Sequence, residues 1–489
     1  MAPTIRGGGP VPAARHRGCH HDLDGQPGVG RRAEAQVRQE QPAASGAALR
    51  LRARRIVTPA GERPGVVVVR DGVITEITGT AGPPGAGEVV VPDDCVLLPG
   101  LVDSHVHVNE PGRTQWEGFA TATAAATAGG ITTIADMPLN SIPPTVDVAS
   151  LAAKRAAARG QLSADVAFWG GAVPGNARQL RALHDAGVTG FKCFLLESGV
   201  PEFPPLDPAD LLTAMTEIAG FGGLLIAHAE DPGVIAAAPP AHGPGYQGFL
   251  ASRPPAAEVA AVTGLLAAAR RTGCRTHIVH LSAAAALPAI AQARGEGLPV
   301  TVETCPHYLA LAAEEVPDGA TQFKCCPPVR GTANRELLWQ ALESGLIDCV
   351  VSDHSPCPVA DKRLDTGDFG AAWGGIASLQ LSLPVTWTAA AARGRSLTEI
   401  ARWMAAAPAG LTGLRDRGEI RPGAQADFCV LAPDDEFTVD PAALRQRHPL
   451  TPYAGMTLRG VVRQTWLRGE LAGPGAGRLV EPFREGEHD

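Results

Sequence analysis

Apolar residues in this chain recur in two different rhythms. Between about residues 97 and 415, short apolar runs alternate with longer Ala-rich stretches of helical character. The runs predict strands at Gly100–Ser104, Ile131–Ala135, Asp165–Trp169, Thr189–Phe194, Leu224–Ala227, Thr276–His280, Val300–Thr304 and Ile347–Ser352. Runs of this kind suit parallel strands buried on both faces, with the intervening helices as crossovers. Eight such units predict an α/β fold, a (β/α)8 barrel, with a doubly wound open sheet as the alternative. No G-x-G-x-x-G follows the first strand, which disfavours a dinucleotide domain.

On either side the rhythm shortens to a period of two. Leu49–Ala53 alternates, and Val66–Arg70 and Val73–Ile77 flank the turn Asp71-Gly72, a hairpin pattern. Toward the other end, strands are expected at Asp427–Leu431 and Val461–Leu467, the latter followed by the turn Arg468-Gly469-Glu470. These segments predict a small β-sandwich domain formed by both ends of the chain, 49–96 and 416–475, around a barrel at 97–415. Residues 1–48 lack apolar periodicity and read as a disordered extension without a secretory apolar core. Residues 476–489 read as a tail.

Charge narrows the function classes. A net charge of −8 and a pI near 6.0 argue against nucleic acid or an anionic membrane as the main partner. No uninterrupted apolar run reaches the roughly 18 residues of a membrane span. The 10 cysteines form no C-x-x-C pair, and several lie in apolar runs, as Cys349 does. That suits reduced thiols in a cytosolic enzyme, with Cys193 and Cys325 as apolar fillers. Only Lys154, Lys192, Lys324 and Lys362 are lysines among 42 basic residues. Where Arg so widely replaces Lys, a retained Lys more often fills a role that Arg cannot.

The sharpest chemical signal is His105-Val106-His107 at the end of the first predicted strand. Alternate residues on a strand point the same way, so the two imidazoles can share an ion such as zinc. Lys192, His228, His280 and Asp353 end predicted strands four, five, six and eight. In a barrel these ends converge on one mouth. Each residue alone also has a plain structural reading: a packed His, a capping Asp, a Lys whose stem lies along apolar surface. Six of them at five strand ends favour a shared site. A protonated Lys192 beside cations would be repelled, whereas carboxylation by CO2 would turn it into an anion able to bridge two ions. Such a pair would activate a water, and Asp353 would take its proton and pass it to a leaving amide nitrogen.

These residues together resemble the cyclic amidohydrolase branch of the amidohydrolase superfamily, which includes dihydroorotases, hydantoinases and allantoinases. The resemblance covers about residues 49–470. It implies two divalent metal ions, zinc foremost with cobalt, manganese or iron as alternatives. Their ligands would be His105, His107, carboxylated Lys192, His228, His280 and Asp353. It also implies a homotetramer, and the cysteine pattern places it in the cytoplasm. Within the branch, the segments His107–Thr114, Asp136–Ser141, Glu303–Tyr308, Phe323–Arg330, Ser352–Cys357 and Ala372–Ile376 look like those of allantoinases. Asn109 stands where dihydroorotases carry an Arg for a substrate carboxylate. An amide there can donate to and accept from a ureide. Asn140 and Cys326, the latter where relatives carry Ser, are the other expected substrate contacts.

The resemblance thus implies opening of the cyclic amide of allantoin to allantoate. A hydantoinase- or dihydropyrimidinase-type activity is the alternative, and a non-catalytic scaffold a third. Lesser expectations concern the surroundings. Lys324 positions the strand-seven loop or pairs on the surface, and His354 points away from the site. Arg253 pairs with Glu258, and Trp373 with Gly374-Gly375 shapes the loop after strand eight.

Overall fold

The hairpin between Gly61–Arg70 and Val73–Thr78 turns on Asp71 and Gly72, whose φ angles are 50° and 79°. A two-residue type I′ turn requires positive φ at both positions. Arg468 and Gly469, at 51° and 79°, repeat the device in the C-terminal hairpin. The computed structural model describes residues 48–80 and 82–483, all within one compact unit, Ser45–Asp489. The extension expected over 1–48, but for its last residue, and residues 484–489 lie outside the described residues.

The hairpin strands Leu49–Thr58, Gly61–Arg70 and Val73–Thr78 join Val96–Pro99, Phe428–Thr438, Thr457–Leu467 and Glu470–Leu471 in one sheet, with Glu88–Val90 as a side strand. Val96–Pro99 is the seam between the two ends of the chain. It pairs antiparallel with Phe428–Leu431 on one side and parallel with Ile56 on the other. Register shifts interrupt the long strands at Ala53/Ile56 and Ala432/Glu436. Such bulges bend a strand and sharpen its twist. The result is a small β-sandwich domain with its own core, including Leu51, Val67, Leu97, Phe428 and Trp466.

The barrel strands follow directly from that seam. They are Leu101–Val106, Ile131–Asp136, Asp165–Phe168 continued by Gly170–Gly171, Phe191–Phe194, Leu224–His228, Arg275–Ile278, Val300–Thr304 and Cys349–Val350. All neighbouring pairs are parallel. Val106 bridges to His354, and the His107 amide donates to the His354 carbonyl at 2.8 Å. The barrel therefore closes from strand eight to strand one, and the open sheet does not form. The third strand pairs with strand two up to Phe168 and with strand four from Gly170. Its glycines are needed there, because a Cβ on Gly171 would lie 2.5 Å from the Phe203 ring.

Two strands stop short of the ligand-type residues expected at their ends. Strand six stops at Ile278 and strand eight at Val350, before His280 and Asp353. Those two residues have φ of 38° and 46°, which no ladder accommodates. A buried ion cluster ties the barrel to the β domain. Asp165 on strand three accepts from Arg417 at 2.9 Å and from Arg468 at 2.8 Å. No helix among the described residues is long and apolar enough to cross a membrane.

Candidate metal centre

Six ligand-type side chains from five barrel strands face one cavity of about 630 Å³: His105, His107, Lys192, His228, His280 and Asp353. Each owes its position to the strand beneath it. His105 lies within strand one, and His107 just beyond it at the same parity. Lys192 and His228 lie on neighbouring strands four and five, two residues apart in register, since Lys192 pairs with Ile226 and Phe194 with His228. His280 and Asp353 reach the cavity from left-handed turns. Asn109 and Asn140 also have positive φ, 66° and 64°. Of seven such non-glycine residues among those described, four cluster at this mouth. Left-handed backbone at a residue other than Gly costs energy and collects where function requires it.

Hydrogen bonds aim the rings. His105 Nδ1 lies 2.5 Å from Glu303 Oε1, so Nδ1 carries the proton and donates, leaving Nε2 a lone pair for an ion. His228 Nε2 lies 2.8 Å from Glu230 Oε2, which leaves its Nδ1 as the free donor atom. His107 Nδ1 faces the Asn140 amide at 3.4 Å. Asp353 Oδ1 stands 3.2 Å from His105 Nε2 and 3.5 Å from His107 Nε2, and it also accepts from Ser355 Oγ at 3.0 Å. Atoms of His105, His107 and Asp353 all lie within 4.8 Å of one another, close enough to share one cation.

Burial disfavours charge on three of the imidazoles, while two of the carboxyls stay ionised. Burial pushes His107 down to about 4 and His228 and His280 well below the ordinary range. Neutral imidazole is the form that binds metal. Burial alone would raise the Asp353 carboxyl, but His105, His107 and His280 outweigh it and hold it well below its usual value. Glu303 is depressed in the same way by His105 and His277. Burial lowers Lys192 to about 8, against the pull of Asp353 and Glu303.

Lysine partners separate Lys192 from the rest. All four lysines are buried. Lys154 meets Asp136 at 2.7 Å and the Met137 carbonyl at 2.7 Å. Lys324 donates to the carbonyls of Gly370 and Ala372, and Lys362 to those of Lys324, Trp373 and Gly375. Among the described residues, Lys192 Nζ has no hydrogen-bond partner, nor do the buried atoms His105 Nε2 and His280 Nδ1. Such orphans cost about 1–3 kcal/mol each, more when charged. Ligand-type atoms left without partners and converging on one cavity fit a divalent-metal site, where an ammonium at Lys192 would repel the ion.

Other expectations divide. Asn140 and Cys326 line the cavity, but Asn109 does not. Asn109 is buried, with its amide 3.5 Å from the Pro356 carbonyl, because its left-handed backbone turns it off the strand's alternation. His354 does point away, accepting from the Ser378 and Leu379 amides at Nδ1 and meeting Glu117 at 3.1 Å. Arg253 does not pair with Glu258. It holds Glu230 at 2.5 Å, while Glu258 holds Arg330 at 2.6 Å and accepts from the Ser282 and Ala283 amides. Lys324 serves the loop after strand eight through carbonyls rather than a surface partner.

Sequence reading missed Glu303 and Glu230 as orienting groups. Glu230 could have been found from its place two residues after His228. Glu303 opens one of the family-like segments, but its pairing with His105, 198 positions away, left no local signal. Glu303→Gln keeps the shape but removes the charge that aims His105 and His277. We expect metal affinity to fall by about 10- to 100-fold, measured by chelator competition.

Known proteins resemble this chain in sequence and in fold. Residues 96–472 match the Amidohydrolase family. A Streptomyces avermitilis protein named allantoinase is 60% identical over 422 residues, spanning 86% of this chain and 94% of that protein. A Saccharomyces cerevisiae protein named allantoinase is 48% identical over 383 residues, 77% of this chain and 82% of that one. Among solved structures, an L-hydantoinase (dihydropyrimidinase) from Arthrobacter aurescens shares 30% identity at a TM-score of 0.81, covering 88% of this chain and 100% of that one. On sequence and on fold alike, the chain belongs to the amidohydrolase family.

Proposed function

We propose that this protein is a metal-dependent allantoinase, opening the cyclic amide of allantoin to give allantoate. The observation that carries the metal chemistry is the orphaned set of His105 Nε2, His280 Nδ1 and Lys192 Nζ in one cavity with Asp353. The relatives named allantoinase support the substrate.

In this reading His105, His107, His228, His280, Asp353 and carboxylated Lys192 hold a pair of divalent ions. Carboxylation joins the Nζ lone pair to the carbon of CO2 and releases one proton. Zinc suits the imidazole-and-carboxylate character of the donors, and cobalt, manganese or iron would also be accepted. When bound, the ions supply an activated water and polarise the ring carbonyl. The protein's own part is proton movement and alignment. Asp353 takes the proton released by the attacking water and delivers it to the departing ring nitrogen. Ser355 fixes the carboxylate for both tasks. Glu303 and Glu230 keep the imidazoles turned toward the cavity. Asn140 and Cys326 stand on the wall to meet ring amide groups. We place the enzyme in the cytoplasm as a homotetramer, an assembly that light scattering would read directly.

The deciding experiment compares turnover of allantoin, hydantoin and dihydrouracil by the purified protein, with metal measured on the same sample. Allantoin should be strongly preferred, with about two ions per chain. Preference for either other ring would give the enzyme the hydantoinase-type activity of its structural relative. Absence of both metal and turnover would make the chain a scaffold.

A further inference from the structure

The cavity wall holds a cation that the mechanism above does not use. Arg253 follows the helix Tyr246–Ser252 and lines the same cavity as the six ligand-type residues. Its Nη1 is fixed 2.5 Å from Glu230 Oε2, and that same oxygen meets His228 Nε2 at 2.8 Å. Glu230 is fully buried, while the Arg253 side chain keeps 21% of its surface open. Among the described residues, no protein acceptor is engaged by Arg253 Nε or Nη2. The guanidinium is thus anchored through Nη1, and Nε and Nη2 remain unspent on a side chain that lines the cavity.

The neighbouring cations are differently placed. Lys324 gives its ammonium to the Gly370 and Ala372 carbonyls, and Lys192 is fully buried among the ligand-type residues. Arg253 is the cavity cation with a planar set of unspent N–H groups. A planar fork of this kind selects an acceptor with oxygen in its own plane, such as a carboxylate or a urea carbonyl.

Resting on the allantoinase reading, we propose that Arg253 is a specificity-determining residue: its free donors bind the ureido arm that allantoin carries and hydantoin lacks. The ring then lies against the metal centre, with its exocyclic carbonyl toward Arg253. Glu230 acts on both ends, turning His228 toward the centre and holding the guanidinium toward the substrate. One buried carboxylate would thereby link substrate selection to the ligand set.

The test compares Arg253→Lys and Arg253→Ala with the parent protein on allantoin and hydantoin, with metal content measured throughout. Lysine keeps a charge for Glu230 but loses the fork, so it isolates substrate contact from support of His228. We expect kcat/KM for allantoin to fall by about 10- to 100-fold relative to that for hydantoin in both variants, mostly through KM, with metal retained in Arg253→Lys. Where hydantoin is not turned over, its inhibition constant replaces kcat/KM and should move far less than the KM for allantoin. Equal losses on both ligands, or loss of metal in Arg253→Lys, would make Arg253 a positioning residue for His228 and overturn the proposal. A parent protein inactive on allantoin but active on hydantoin would instead overturn the function on which the proposal rests.

Discussion

Lys192→Ala loses bound metal and hydrolysis together, with turnover down by at least about a thousandfold and metal content falling in parallel. The reason is the environment of the ammonium. It is fully buried, has no hydrogen-bond partner among the described residues and sits over the Phe194 ring at 5.0 Å. Alanine removes the proposed bridging anion and leaves four imidazoles and one carboxylate to hold two dications. A guanidinium at this position would keep a cation where an anion is needed, so Lys192→Arg should be as inactive as alanine. Lys192→Glu restores a carboxylate on a shorter stem and should recover part of the metal. Elemental analysis and turnover on the same samples decide the matter, and normal metal content in Lys192→Ala would remove the bridging role.

The same residue predicts a pH dependence. Capture of CO2 needs the neutral amine, and burial brings Lys192 to about 8. Since the pKa is lowered, the neutral form dominates above that value and falls by about tenfold for each pH unit below it. Metal-free protein supplied with zinc at constant dissolved CO2 should therefore load faster at about pH 8 than at about pH 6. A loading rate independent of CO2 would speak against carboxylation.

Asp353→Asn is the second large effect. The carboxylate is held charged by the surrounding imidazoles, at 3.2 Å from His105 and 3.5 Å from His107. Asparagine preserves size and an oxygen for Ser355, but it cannot accept and return a proton. General acid–base groups contribute about 10²- to 10⁴-fold, so kcat should fall by that factor, with KM changing much less. Metal content should fall less than in Lys192→Ala, because both histidines of strand one remain aimed. Activity within about tenfold of the parent would assign the proton to another group. His307 would be the first to test, since it is buried with both ring nitrogens unpartnered among the described residues and shares a cluster with Cys305 and Asp353.

Much of this arrangement follows from local rules that a sequence obeys wherever it folds. Parallel strands buried on both faces leave apolar runs, so the barrel strands are readable, as are the hairpin at Asp71-Gly72 and the turn at Arg468-Gly469. Strand parity alone puts His105 and His107 on one side, and barrel topology alone brings five strand ends to one mouth. The scarcity of lysine marks four positions, and all four prove to be buried. What tertiary structure decided is which group meets which. Arg253 took Glu230 and left Glu258 to Arg330, because barrel closure sets distances between residues far apart in sequence. Glu303 reaches His105 across 198 positions, a pairing no local pattern encodes. The left-handed turns at Asn109, His280 and Asp353 likewise belong to the closed barrel. They turn His280 and Asp353 into the cavity and Asn109 out of it, at a backbone cost that only the surrounding packing can sustain.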